Sequence, residues 1–392
     1  LSIGLILLAV FAVLLVAERA LERSAAAQAK DMVQAPKFEV DPAFPKPLPN
    51  NWLLGQAIGV GVDAQDHIWI VHRQDSLGAN EAAADQTPPT ATCCRRAPPI
   101  LEFDQQGNLL RHWGGPGQGY DWPNSNHGIT IDHKGYVWIG GNVGSDGHVL
   151  KFTQDGKFVA QFGKPVPQGQ PSWGSNHMEN FGRVAKIFVD PKANEAYLAD
   201  GYGNKRVAVI DADTGKIKRY WGAYGNKPDD TNMGPYDPDA PPIKQFRSPV
   251  HCAEMSVDGL VYVCDRPNDR IQVFKQDGTF VKETWVAKRT LGDGSTWDIA
   301  FSKDPQQRYL YLADGKNERV YIMRRDTLEI LSTFGGGGRQ PGQFFAVHSI
   351  AVDSKGNIFT TETYEGRRLQ KFAFKGVTSV PRDQGPAWPS GR

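Results

Sequence analysis

The chain has 392 residues, with 44 Lys+Arg against 43 Asp+Glu and a formal net charge of +1. That balance leaves no basic surplus for nucleic acid, and this class of partner is set aside. The 42 glycines and 27 prolines are too many turn-formers for a helical protein and suit many short strands.

The N-terminal segment differs in kind from the rest. "IGLILLAVFAVLLVA", residues 3–17, is an uninterrupted apolar run. It is shorter than the roughly 20 residues of a membrane span and fits a signal-peptide core. Ala27-Gln28-Ala29 is a small-x-small cleavage site, although "ERALER" lengthens the gap between core and site. Residues 1–29 are therefore expected to be a signal peptide or an uncleaved N-terminal anchor. Either places the domain outside the cytoplasm, periplasmic or extracellular, with any membrane contact confined to this segment. Residues 30–49 read as a linker, with "KFEV" at 37–40 a possible ring-closing strand.

From residue 50 a repeat governs the chain. Each unit is an alternating apolar strand, a turn, a second strand, then a pair of strands such as "RVAVIDADTGKIKRYWG" or "RIQVFKQDGTFVKETW". Units begin near Ile58, His127, Ala185, His251, Trp297 and His348. Six units of four strands predict an all-β fold, a six-bladed β-propeller of antiparallel blades over 50–376. The sixth unit stops after a third strand, "RRLQKFAF", and 377–392 reads as a loose tail. The long loops 74–98, 164–183 and 223–248 are expected to shape a binding surface on a monomeric scaffold.

Four cysteines in so long a chain do not make a disulfide scaffold. Cys93 and Cys94 are open to two readings, a vicinal bridge or free thiols. With a turn at 256–259, Cys252 and Cys264 are expected on opposite faces of their hairpin.

Within the repeat, His127, His251 and His348 share one position, eight residues before Gly135, Gly259 and Gly356. The other units hold Ile58, Ala185 and Trp297 there. Alternate units of a six-fold ring lie about 120° apart, so three side chains at the start of the innermost strands converge on the axis. Three imidazoles around one point suit Zn²⁺, with a fourth position for water or substrate. His67, His72, His112, His133, His148 and His177 share no such register and read as turn, packing or loop residues.

These features resemble the peptidyl-α-hydroxyglycine α-amidating lyase family, a six-bladed propeller of NHL-type repeats. The resemblance spans about residues 50–376 and rests on "GQAIGVGVD…IVHR", "HGITID", "LADGYGNKR", "HCAEMSVDGLVYVCDRPNDRIQVF" and "HSIAVD". It implies zinc on His127, His251 and His348, Tyr202 as catalytic base, and Arg73 and Arg266 as active-site arginines. Plainer readings make Tyr202 a turn residue and Arg266 an inter-blade contact through Asp265.

The resemblance also implies a channel calcium on the carbonyls of Val60 and Ile129 and the side chain at Ser349. Ser349 replaces an Asp of the family, however, and the lost charge weakens a hard-cation site considerably. Ala346 replaces a substrate-contacting Met. Gly203, Tyr262 and Val273 stand where the animal enzyme has cysteines.

The expected activity is C–N cleavage of a peptidyl-α-hydroxyglycine, or a related α-hydroxy amide, to an amide and glyoxylate. The partner is then a peptide or small-molecule substrate. Two alternatives differ in class. One is a non-catalytic exported propeller that binds a peptide, glycan or protein. The other is a metal-dependent lactonase or hydrolase, a class that usually holds Ca²⁺ with Glu, Asn and Asp.

Overall fold

The computed structural model describes Glu18, Arg19 and residues 32–389. Apart from Glu18 and Arg19, the segment read as a signal or anchor lies outside the described residues. Among the described residues, no helix is long and apolar enough to cross a membrane.

Alternating apolar residues separated by turns that open on Asp or Ser build six four-stranded antiparallel sheets around one axis. The innermost strands are Gln56–Val62, Asn126–Ile131, Val184–Asp190, Val250–Met255, Asp298–Phe301 and Val347–Val352, for blades one to six. In blade two, Asp132 Oδ1 accepts the backbone N–H groups of Lys134 and Tyr136, each at 2.9 Å. Its other oxygen accepts the Trp138 indole N–H at 2.8 Å. The turn thus ties itself to the buried face of the second strand. Asp63 and Trp69 repeat the arrangement in blade one at 3.0 Å.

Blade six closes the ring with both ends of the described chain. Its strands are Val347–Val352, Ile358–Glu362, Leu369–Pro381 and, outermost, Met32–Asp41. The closing strand is longer than "KFEV" and starts inside the segment read as linker. Of the stretch read as a loose tail, residues 377–389 are ordered against the blade. The third strand runs on to Pro381 because Met32 pairs with Pro381 and Val33 with Val380. Beyond it, Val40 N–H donates to the Ala387 carbonyl at 2.8 Å, and Ala387 is buried. Backbone hydrogen bonds along the outer strand hold the segment, a cause invisible in its polar composition.

The cysteine expectation also needs correcting. Cys252 and Cys264 are direct cross-strand partners, joined by a disulfide with Cα atoms 4.8 Å apart. Met255 pairs with Val261, so the loop is one residue longer than the turn inferred from sequence. A one-residue slip moves a side chain to the other face of a strand, which brings the two sulfurs together. Cys93 and Cys94 are bonded to each other.

An arginine at or just before the start of the third strand has a structural task in blades three, four and six. Arg206 Nε donates to Asp200 at 2.8 Å, both side chains fully buried. Its remaining nitrogens donate to the carbonyls of Ser175, His177 and Asn180. Arg270 and Arg368 likewise pair with Asp265 and Glu362 and reach loop carbonyls. Each arginine therefore clasps an inter-blade loop to the end of its own second strand. Replacing Arg206 with Met strands a buried carboxylate and three carbonyls, and is expected to cost about 3–5 kcal/mol. Arg308→Met, at the exposed pair with Asp304, should cost only about 0–1 kcal/mol. Denaturant midpoints at unchanged slope measure both, and equal shifts would show that the buried clasp has no special weight.

Candidate metal centre

The innermost strands bring His127, His251 and His348 together at the axis. They are 1%, 2% and 4% exposed. Their ring centroids lie 5.1, 4.8 and 4.9 Å apart, pair by pair. One ligand atom from each falls within 4.8 Å of the others. The cause of the inward aim is local. The ladder register shifts between His127 and Ile129, between Val250 and Cys252, and between Val347 and Ser349. Such bulges re-aim a side chain out of the regular pleat.

The three unlike repeat positions, which the sequence analysis left without a role, orient these imidazoles. His127 Nδ1–H donates to the Ala185 carbonyl at 2.6 Å. His251 Nδ1–H donates to Trp297 at 2.5 Å, and His348 Nδ1–H to Ile58 at 2.7 Å. Each histidine of an even blade is thus held by the backbone of the following odd blade. Because a carbonyl only accepts, the proton sits on Nδ1 and the Nε2 lone pair is left for the axis. Burial holds all three imidazoles well below the usual histidine range. The charge of Arg266 adds to this for all three, and that of Arg73 for His127 and His348.

Close packing between blades depends on glycine. A Cβ on Gly201 would lie 2.0 Å from the Val250 carbonyl oxygen and 2.3 Å from its nitrogen. The Asp-Gly of "LADGY" therefore lets the strand carrying His251 approach, and it places Tyr202 beside that histidine.

Tyr202 is not a plain turn residue. Its hydroxyl lies 3.0 Å from His127 Nε2 and 2.9 Å from His251 Nε2. Arg266 Nη1 donates to the same oxygen at 3.3 Å. One phenol proton cannot satisfy both lone pairs at once. A pocket of converging lone pairs with a shortage of protons is the donor set that a borderline metal cation fits.

The plainer reading of Arg266 is not what the structure shows. The Asp265 carboxylate accepts from Arg270, Asn268 and the Arg247 backbone. Arg266 instead lies over the Trp297 ring, 4.6 Å from its centroid, and only 7% exposed. Its Nε has no hydrogen-bond partner. Arg73 ends the second strand of blade one. Its side chain is fixed by Gln56 Oε1 at 3.0 Å, Asn142 Oδ1 at 2.9 Å and the Asn126 carbonyl at 3.4 Å. The two arginines and Tyr202 therefore gather at the histidine mouth of the channel.

Two aromatic side chains there had no role assigned from the sequence. Trp297 packs edge-on to His348 at 5.5 Å and to His251 at 6.2 Å. Tyr364 meets Trp297 at 6.4 Å and is 42% exposed. A signal for Tyr364 was present: Glu362-x-Tyr364 with Arg368 repeats the spacing of Asp200-x-Tyr202 with Arg206.

The remaining histidines stay apart from the axis. His72 is a packing residue that accepts the Gly55 N–H and donates to the Pro98 carbonyl. Burial pushes it down to about 4. His67 joins Asp63 and Glu102 in a second cluster. Asp63 there is already engaged by Trp69 and backbone N–H groups, and Glu102 by Arg111.

Of the residues implied for calcium, Ser349 has its side chain engaged elsewhere. Ser349 Oγ donates to Asp298 Oδ2 at 2.7 Å and accepts the Val60 N–H at 3.3 Å. Its proton and one of its lone pairs are therefore engaged within the protein. Ile129 lines the channel cavity beyond the histidines, a space of about 240 Å³.

No protein-family model matches the chain. The chain is 26% identical over 358 residues to NHL repeat-containing protein 3 of Mus musculus, covering 87% of this chain and 85% of that protein. It is 26% identical over 325 residues to the peptidyl-glycine alpha-amidating monooxygenase of Mus musculus. That match covers 81% of this chain but 30% of the relative, so the chain spans under a third of the monooxygenase's length. Among solved structures, a streptogramin B lyase superposes with a TM-score of 0.51 at 12% identity, covering 87% of this chain and 98% of that one. At that identity the likeness concerns the propeller fold alone.

Proposed function

We propose that this protein is a zinc-dependent lyase that cleaves the C–N bond of a peptidyl-α-hydroxyglycine, or a related α-hydroxy amide, to an amide and glyoxylate. The observation that carries this reading is the convergence of three neutral imidazoles at the axis, two of them within hydrogen-bond reach of one phenol, flanked by two arginines. The similarity to an amidating monooxygenase supports the substrate class.

His127, His251 and His348 would hold the ion. Zinc, when bound there, supplies Lewis acidity toward a substrate oxygen. The chain's own residues account for the rest. Arg73, braced by Gln56 and Asn142, faces the site with a fixed fork suited to a carboxylate. Tyr202, acting as its phenolate, takes the hydroxyl proton as the carbonyl of glyoxylate forms and the C–N bond breaks. The same proton returns to the departing nitrogen, so the amide leaves neutral and Tyr202 is reset. Arg266, donating to the Tyr202 oxygen, balances the charge that oxygen carries before the first transfer and after the second.

Action outside the cytoplasm is part of the proposal. It is supported by the apolar run at 3–17 and by two disulfides, Cys93–Cys94 and Cys252–Cys264. A second reading, a metal-bearing propeller that binds without turnover, is favoured by Ala346, whose methyl replaces a longer side chain beside His348.

Glyoxylate release from a peptidyl-α-hydroxyglycine, measured alongside metal content, tests the proposal. Stoichiometric zinc with chelator-sensitive glyoxylate release is expected. Stoichiometric zinc with no release would favour the binding reading.

A further inference from the structure

One residue along from the histidine tier lies a second tier of polar side chains. Lys186 follows Ala185, Asp298 follows Trp297 and Ser349 follows His348. Each is therefore joined covalently to a residue that either orients a ring of the first tier or bears one. Lys186 Nζ lies 2.6 Å from Asp298 Oδ1 and 3.0 Å from Glu254 Oε1. These side chains are 11%, 3% and 17% exposed, respectively. Asp298 Oδ2 accepts the Ser349 hydroxyl at 2.7 Å and the Ile350 N–H at 3.1 Å. The network draws on blades three, four, five and six, and reaches blade one through the Val60 N–H.

Two carboxylates this close to the axis repel one another unless a cation lies between them. The cation here is the lysine of the chain itself. Burial opposes the charge on Lys186, yet the carboxylates of Asp298 and Glu254 outweigh it and hold the ammonium above its usual range. A second cation would have to displace that ammonium, which already engages both carboxylates. The remaining hydroxyl, on Ser349, already donates to Asp298.

We propose that Lys186 is the built-in cation of the channel: its ammonium does the work a bound divalent ion would otherwise do, and the chain takes no calcium there. A covalently supplied charge ties blade three to blades four and five one tier away from the metal centre. It does so independently of the ion content of the surroundings. The inference does not depend on whether the histidine tier is catalytic.

The test is thermal melting and equilibrium dialysis of the full chain with added Ca²⁺. Calcium is added rather than chelated, so that the histidine tier is not stripped. The wild type is expected to melt at the same temperature with and without Ca²⁺ and to retain none. Lys186→Gln leaves Asp298 and Glu254 unbalanced and supplies an amide oxygen. It is expected to melt lower, to recover with Ca²⁺, and to lose that response when Asp298→Asn is added. Calcium uptake or a raised melting temperature in the wild type overturns the proposal. So does a folded Lys186→Gln protein indifferent to Ca²⁺. If Lys186→Gln does not fold, the wild-type measurement decides alone.

Discussion

His251→Ala is expected to reduce bound metal from one equivalent per chain to none and to abolish glyoxylate release. The loss should be total because the centre offers three protein ligands and no reserve. Two imidazoles leave a borderline cation half-coordinated, well short of the four-coordinate preference of zinc. His251 is also the histidine with the shortest second contact, 2.5 Å from Nδ1 to the Trp297 carbonyl. That carbonyl would be stranded in a site only 1–2% exposed. Outer contacts of this kind commonly change metal affinity by about 10–100-fold on their own. Here the contact is backbone, so removing the ring is the only way to delete it by mutation. His133→Ala is the control: His133 is exposed in the turn of blade two and touches neither the axis nor the other rings. Elemental analysis of both variants after dialysis reads the result. One equivalent of metal retained by His251→Ala would exclude the histidine trio as the ligand set.

Tyr202→Phe is expected to separate chemistry from metal binding. The substitution removes one oxygen and leaves the ring against His127 and His251. That oxygen is the group within reach of two Nε2 atoms and of Arg266. If it carries the proton between hydroxyl and nitrogen, turnover should fall by about 10²–10⁴-fold, the usual worth of a positioned acid–base group. Zinc should stay at one equivalent, and KM should move little, because substrate anchoring is assigned to Arg73. Unchanged turnover with zinc in place would falsify the role of Tyr202 as base. Loss of zinc together with activity would make Tyr202 part of the metal's support.

The repeat, the blade count and the histidine register were all legible in the sequence, because each is a periodicity within or between strands. His127, His251 and His348 stand at one offset from a turn glycine, and local spacing is enough to find them. Tyr202 and Arg266 were legible only through a resemblance; their side chains act across blades, and nothing in their spacing announces a partner. Trp297 and Ala185 were visible only as exceptions to the histidine pattern. Their contribution is a backbone carbonyl, which every residue has, so their identity carries no signal. The pairing of Cys252 with Cys264 was misread by one residue, because loop length, and with it the face of a strand, depends on how Ser256–Leu260 closes.

The sequence by itself determined a six-fold ring of four-stranded blades with three histidines directed at its axis, since strand period and turn chemistry are local. Only the tertiary structure decided which carbonyl holds each ring, that one phenol bridges two of them, and that Lys186 answers two carboxylates in the channel. It also decided that the C-terminal stretch is the partner of the closing strand. These relations join residues from different blades, and they exist only once the ring has closed and the bulges have turned side chains inward. The physical reason is that alternation specifies a face, whereas closure specifies what that face meets.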